Sequence, residues 1–485
     1  MENPRPATAL DTVDAVTTRI VIIGGGPAGY EAALVASGRG PGVQVTLVDS
    51  DGIGGACVLY DCVPSKTFIA STGVRTELRR APSLGYDIDI GDAKVSLAQI
   101  HDRVKDLAAM QSADIAHRLR NQGVRLMPGR AELVDSQPGM AHHRVKVTEP
   151  GGGQKLLDAD VVLIATGASP RILPKAKPDG VRILTWRQLY DLTDLPEHLV
   201  VVGSGVTGAE FVNAYTELGV TVTVVASRDQ ILPHEDADAA AVLEDVFATR
   251  GVTLVKNARA DSVVRTGDGV RVTMADGRTV EGSHALITVG SVPNTSGLGL
   301  ERVGIELDRG GYLTVDRVSR TSVPTIYAAG DCTGLLPLAS VAAMQGRIAM
   351  YHALGEGVTP IRLRTVAGAV FTRPEIAAVG VPQKAIDDGS VPARTLMLPL
   401  NTNARAKMSG LRRGFVKIFC RPATGVVIGG VVVAPVASEL IIPIALAVQN
   451  LLSVTDLAQT MSVYPSLTGS ITEAARQLMT HDDLD

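Results

Sequence analysis

Two cysteines, Cys57 and Cys62, stand in the run Gly54-Gly55-Ala56-Cys57-Val58-Leu59-Tyr60-Asp61-Cys62-Val63-Pro64-Ser65-Lys66. Five positions is about a turn and a half of helix, near enough for two thiols to pair if the backbone distorts slightly. Upstream lies Gly24-Gly25-Gly26-Pro27-Ala28-Gly29, a GxGxxG turn, and Asp49 follows 20 residues after Gly29. Such glycines permit a tight turn, close approach to a pyrophosphate at a helix N-terminus, and close helix–strand packing; the acid is placed to take ribose hydroxyls. A second GxGxxG, Gly203-Ser204-Gly205-Val206-Thr207-Gly208, recurs about 180 residues further on. Two such turns imply two dinucleotides rather than one.

Each turn has the elements it needs. Arg19–Ile23 reads as a strand before the first, Tyr30–Ser37 as the helix after it, and Val43–Val48 as the next strand, closed by Asp49. Around the second, Leu199–Val202, Ala209–Leu218 and Val220–Val225 repeat the pattern. Val161–Ile164 runs into Ala165-Thr166-Gly167, and Ile326–Ala329 into Gly330-Asp331; each is a strand delivering a turn of small residues. From about Ile361 the pattern changes to strands Val416–Phe419 and Val426–Val433 with helices Ser438–Gln449 and Ile471–Met479. The expected class is α/β, with two Rossmann-like dinucleotide-binding domains and a C-terminal α+β domain.

A length of 485 residues suits roughly three domains at ~150 residues each. With 45% apolar and 20% charged residues and a net charge of −4, nothing in the electrostatics points to nucleic acid or an anionic membrane. No apolar run approaches the ~20 residues that span a bilayer. Met1–Thr18 is polar and acidic and reads as a disordered leader rather than a signal peptide. Four cysteines are too few for a disulfide scaffold, so a reducing cytoplasm is expected, with any disulfide catalytic rather than structural. Cys332 and Cys420 read as small buried hydrophobes. No metal site is expected.

Cys-x4-Cys followed by Val-Pro-Ser-Lys, after a GxGxxG, resembles the flavoprotein disulfide reductases: lipoamide dehydrogenase, glutathione reductase and mercuric reductase. Thr372-Arg373-Pro374-Glu375, Val379-Gly380 and Asn403-Ala404-Arg405-Ala406-Lys407 resemble that family's dimerisation domain, so the likeness covers Arg19 to about Leu478. It implies an FAD domain over 19–168 and 293–360, an NAD(P) domain over 169–292, a dimerisation domain over 361–485, and a homodimer. It further implies FAD held by Gly24, Gly26 and Gly29 at the pyrophosphate and Asp49 at the ribose. Asp331 would take the ribityl chain, with Gly55, Ala56, Ala131, Gly167 and Ala339 around the cofactor. Lys66 would stand by the flavin N5, paired with Glu210, because a buried lysine needs a carboxylate to stay charged. Gly203, Gly205, Gly208, Ser227, Arg228 and Gly290 would hold the nicotinamide nucleotide. Cys62 would be the charge-transfer thiol, forming a redox disulfide with the outward interchange thiol Cys57.

The chain departs from that family at one place that matters. The family's His-Pro-Thr-Leu-Ser-Glu, which the partner subunit supplies, reads Tyr464-Pro465-Ser466-Leu467-Thr468-Gly469 here. Tyr464 replaces the base and Gly469 the glutamate; the nearest histidine is His481. Thiol–disulfide exchange needs a thiolate, and a tyrosine of pKa ~10 is a poor base near neutrality. Hydride transfer between two cofactors needs no such base. The expected activity is therefore NAD(P)H:quinone oxidoreduction, resembling a mycobacterial-type branch first grouped with the lipoamide dehydrogenases. Relatives of that kind lack one cysteine of the pair, whereas this chain has both, so a disulfide reductase with another base is the alternative. A non-catalytic assembly subunit is a third reading, disfavoured by the intact Lys66 and Glu210. Ser227 stands where NADH-specific relatives carry an acid, and Arg228 follows it, so the expected nucleotide is NADPH, with NADH as the alternative or second donor.

Overall fold

The computed structural model describes residues 17–87, 89, 91, 93–135 and 142–479. All but the end of the leader segment, and His481, lie outside them; Thr18 begins the first strand. The described chain divides into two compact units. One holds the chain up to Cys57, Gln111–Ala168 and Pro293–Ile361; the other holds Val58–Met110, Ser169–Val292 and the chain from Arg362. Among the described residues no helix is long and apolar enough to cross a membrane.

The first unit is built on a five-stranded parallel sheet. Its strand order is Ile326–Ala328, Val161–Ile164, Thr18–Ile23, Val43–Asp49, Arg125–Pro128. The central stretches Ile20–Ile23 and Val161–Ile164 are apolar at successive positions rather than alternately, because both faces are covered. Ile20, Ile22, Leu47 and Leu163 pack with Ala28, Ala32 and Ala36 of helix Pro27–Ser37 on one face. Val21, Ile23, Val48, Val162 and Ile164 pack on the other with Leu133, Val145 and Val147 of a three-stranded antiparallel sheet. That sheet (Arg130–Val134, His143–Thr148, Gln154–Ala159) was not anticipated from sequence.

The second unit repeats the design. Its parallel sheet runs Thr253–Val255, Thr221–Val225, His198–Val202, His284–Ile287, Ile183–Leu184, with another antiparallel three-stranded sheet over Ala260–Gly282. Helix Val206–Leu218 (the glutamate helix) packs against helix Cys62–Arg80 (the lysine helix). The C-terminal strands form an antiparallel sheet in the order Ala367–Val370, Glu375–Gly380, Val427–Ala434, Phe415–Cys420, Arg394–Pro399. Ion pairs tie this sheet into the unit. Lys417, 2% exposed, reaches Asp236 at 2.7 Å and Asp238 at 2.6 Å.

Three element readings are corrected. The helices after the glycine turns start at Pro27 and Val206, three residues earlier than read, and Pro27 suits a first helical turn because its missing N–H has no partner there anyway. Ser438–Gln449 is two helices, Ala437–Leu440 and Ile442–Asn450, because Pro443 lacks an N–H and its ring opposes the carbonyl four residues back. Cys57 and Cys62 do not share a helix either; Cys57 lies in Gly55–Leu59 and Cys62 opens Cys62–Arg80.

Candidate active site

The two glycine turns are the same object built twice. Gly24 and Gly203 have φ of 110° and 114°, a region that suits glycine. A Cβ on Gly29 would lie 1.8 Å from the Gly24 carbonyl oxygen, and one on Gly208 would lie 2.2 Å from that of Gly203. Only glycine lets the helix close onto the turn so tightly. The helices that follow have Gly26 and Gly205 as N-caps, and neither end receives a side-chain cap. A Cβ at Gly205 would meet nothing within 4 Å, so the second turn faces open space. Helix N-termini with amide donors uncapped by side chains are suited to an anion, and a dinucleotide pyrophosphate fits both.

At the first turn Asp49 is already engaged. Its carboxylate accepts from the backbone N–H of Gly25 at 2.6 Å, Gly52 at 2.6 Å and Asp51 at 2.7 Å. Burial raises its pKa, and these three bonds oppose that rise. Asp49 thus shapes the glycine loop, leaving about one of a carboxylate's four lone-pair sites for a ribose hydroxyl. Gly55 is pressed on the same loop, where a Cβ would come 2.8 Å from Gly26 Cα. Gly167, at φ 67°, accepts from the N–H of Asn294 at 3.0 Å. Asp331 is half-buried after strand Ile326–Ala328, its pKa raised by burial. Ala131 is buried in the antiparallel sheet, and half-buried Ala339 opens helix Ala339–Ala353.

In the second unit Lys66 Nζ donates to Glu210 Oε2 at 2.8 Å. Glu210 is 3% exposed and Lys66 30%. Burial pulls the ammonium pKa down, but the charge and hydrogen bond of Glu210, aided by Cys62 and Asp61, carry it above the ordinary lysine value. Lys66 is held as a cation. The other Glu210 oxygen accepts the backbone N–H of Phe371 at 3.0 Å, and the Phe371 ring lies 4.9 Å from Lys66 Nζ. Ser227 and Arg228 are exposed just beyond strand Thr221–Val225, and Gly290 is exposed with φ 92°.

Sequence reasoning missed how this pair is supported. Glu210, Asn213 and Glu217 lie at i, i+3 and i+7, one stripe of the glutamate helix, and all three are buried. Asn213 Oδ1 accepts from the Arg373 N–H at 2.9 Å and from Arg250 Nη1 at 2.8 Å. Glu217, fully buried, accepts from the hydroxyls of Thr72 at 2.8 Å and Thr76 at 3.0 Å. It also pairs with Arg250 at 3.5 Å and Arg373 at 3.3 Å. Polar residues at helical spacing inside an otherwise apolar stretch were the available signal.

Cys57 and Cys62 are half-buried. Cys332 and Cys420 are wholly buried, and burial pushes the Cys332 thiol pKa up to about 11. Tyr464 is 85% exposed, following Met461 at 98% and Val463 at 79%. Gly469 opens helix Gly469–Leu478, its N–H donating to Ser466 Oγ at 3.1 Å.

The family model "Pyridine nucleotide-disulphide oxidoreductase" matches residues 18–346, and the model of that family's dimerisation domain matches 366–475. The chain is 76% identical over 471 residues to an NAD(P)H dehydrogenase (quinone) of Mycobacterium tuberculosis, covering 97% of this chain and 96% of that protein. It is 31% identical over 460 residues to a dihydrolipoyl dehydrogenase of Chlorobaculum tepidum, covering 94% and 96%. A crystal structure of LpdA from M. tuberculosis superposes with TM-score 0.92 at 75% identity, covering 96% of this chain and 100% of that one. Duplicated dinucleotide turns, an anchored lysine and the C-terminal sheet thus meet in one assignment: the chain belongs to the pyridine nucleotide-disulphide oxidoreductases, enzymes that use FAD and NAD(P)H.

Proposed function

We propose that this protein is an FAD-dependent NAD(P)H:quinone oxidoreductase that works as a cytoplasmic homodimer. The net reaction is NAD(P)H + H⁺ + quinone → NAD(P)⁺ + hydroquinone. The observation that carries this reading is the intact Lys66–Glu210 ion pair in a chain with Tyr464 and Gly469 where disulfide exchange would want a base and its carboxylate. The likeness to a relative named for quinone reduction supports it.

When bound, FAD would supply the two-electron chemistry that links the nicotinamide to the acceptor. In this reading Gly24, Gly26 and Gly29 bind its pyrophosphate by amides, Asp49 its adenosine ribose, and Asp331 its ribityl chain. Gly55, Ala56, Ala131, Gly167 and Ala339 complete its walls. Lys66, kept charged by Glu210, stabilises negative charge on the reduced flavin. Gly203, Gly205 and Gly208 bind the nucleotide pyrophosphate, with Gly290 beside it. Ser227 removes the repulsion an acid would exert on a 2′-phosphate and Arg228 pairs with it, so both NADPH and NADH serve. The C-terminal domain makes the dimer, which light scattering at micromolar concentration should show.

The retention of both Cys57 and Cys62 favours a second reading, reduction of a disulfide substrate through a redox disulfide between them. A steady-state assay of FAD-loaded protein with NADPH or NADH against menadione, lipoamide and glutathione disulfide separates the two. Menadione should turn over well, the disulfides poorly, and Cys57→Ser should leave menadione reduction largely intact while abolishing lipoamide reduction. Loss of menadione reduction in Cys57→Ser at normal FAD content would mean that electrons leave through the thiols.

A further inference from the structure

A cavity of about 250 Å³ opens beside Lys66, and every residue around it belongs to the second unit. Ile69 and Ala70, on the turn of the lysine helix after Lys66, line it with apolar surface, as do Pro435 and Val436. Phe371 lines it too, its ring 4.9 Å from the lysine ammonium, and Thr372, Arg373 and Glu375 complete the lining.

The chemistry of this lining selects a narrow class of ligand. Phosphates are served elsewhere in the unit, by the amides of the 203–208 turn. What the cavity offers instead is apolar surface, one aromatic ring and the Lys66 ammonium; of the other charged groups around it, Arg373 is paired with Glu217 and Glu375 accepts from Ser438. A flat aromatic ring carrying carbonyl oxygens matches all three, because the ring packs on Phe371 and the aliphatic side chains while Lys66 faces an oxygen. A cation at that oxygen favours the negative charge that reduction places on it.

The lining is held in place before any ligand arrives. Glu210 grips both Lys66 and the Phe371 amide, and Arg373 is fixed by Asn213 at its N–H and by Arg250 at its carbonyl (3.3 Å). Ser438 donates both its N–H and its hydroxyl to Glu375 Oε2, at 2.9 and 2.7 Å. Such preorganisation lowers the cost of binding.

We propose that this cavity is the quinone-binding site, with Phe371, Ile69, Ala70, Pro435 and Val436 holding the ring and Lys66 facing a carbonyl oxygen. The inference rests on the quinone-reductase reading, since Lys66 is the residue that reading places beside the flavin.

Two substitutions enlarge side chains of the lining, Val436→Trp and Ala70→Trp, at residues with no assigned part in binding FAD or nucleotide. In stopped-flow measurements both should leave flavin reduction by NADPH within about twofold of the parent. Reoxidation by menadione should slow by at least about tenfold, while reoxidation by ferricyanide, a small outer-sphere acceptor, stays within about twofold. Independently of any variant, an azido-naphthoquinone irradiated on the unaltered holoenzyme should label the peptides around Ala70 or Val436, and excess menadione should suppress the labelling.

Normal menadione reoxidation in both variants, with labelling elsewhere, would overturn the site while leaving the quinone activity standing. Slowed reduction by NADPH would assign the cavity to the nicotinamide instead. Failure of the parent protein to reduce menadione at all would remove the functional reading, and the site with it. If a variant does not fold, the labelling of the unaltered enzyme still decides.

Discussion

At the scale of single residues, the Lys66–Glu210 pair concentrates the chemistry. Burial works against the lysine charge, and one carboxylate reverses that balance. Glu210→Gln keeps the shape and removes the counter-charge, so the ammonium pKa should fall as burial takes over. A lysine that neutralises at lower pH should pull the alkaline limb of flavin reduction by NADPH down in pH and slow the step by about tenfold near neutrality. Stopped-flow absorbance across pH measures both effects. A variant profile lying on that of the parent would show that the charge of Lys66 has no part in the step.

At the scale of elements, the glutamate helix is buried along almost its whole length and still carries a polar stripe. That is tolerable because each acceptor on the stripe meets a partner, Asn213 Nδ2 alone being left without one among the described residues: Glu210 meets Lys66 and Phe371, Asn213 Oδ1 meets Arg373 and Arg250, and Glu217 meets two threonines and two arginines. Removing Glu217 would strand two partly buried cations. Glu217→Ala should therefore lower stability by about 3–5 kcal/mol, the usual cost of breaking a buried pair from one side. The exposed pair Glu473–Arg476 is the control, and Glu473→Ala should not measurably shift the urea midpoint because solvent screens it. Equal midpoints for the two variants would mean that the stripe is not a structural charge network.

At the scale of the whole molecule, three histidines of the second unit couple stability to pH. His101, His198 and His284 all have pKa values lowered chiefly by burial; His284, with Arg182 also opposing its charge, falls to about 4. The fold holds them neutral, while the unfolded chain takes up protons near ~6.5. Their contribution is fully present above that pH and is lost as pH falls towards 4. The melting temperature should therefore decline over that window, and His284→Gln should flatten the lower part of the decline. An unchanged slope in His284→Gln, read by calorimetry, would exclude this residue as a source.

Local features with local causes were legible in the sequence. The GxGxxG turns, the strands around them and the cysteine run were readable because turn geometry and continuous apolar runs are properties of a few neighbouring residues. The lysine–glutamate pair was named through resemblance, across 144 positions. Tertiary structure decided the rest. It spent most of the Asp49 carboxylate on backbone amides, split Ser438–Gln449 at Pro443, and paired the strands of two antiparallel sheets, whose hairpin signals Gly151-Gly152, Gly267-Asp268 and Asp276-Gly277 stand in the sequence. It also brought Phe371 and Arg373 from the C-terminal sheet onto the glutamate helix, and opened the cavity beside Lys66. The placing of Phe371 and Arg373 and the cavity depend on contacts between residues more than a hundred positions apart, and a one-dimensional pattern carries no information about which distant partners will satisfy a buried charge.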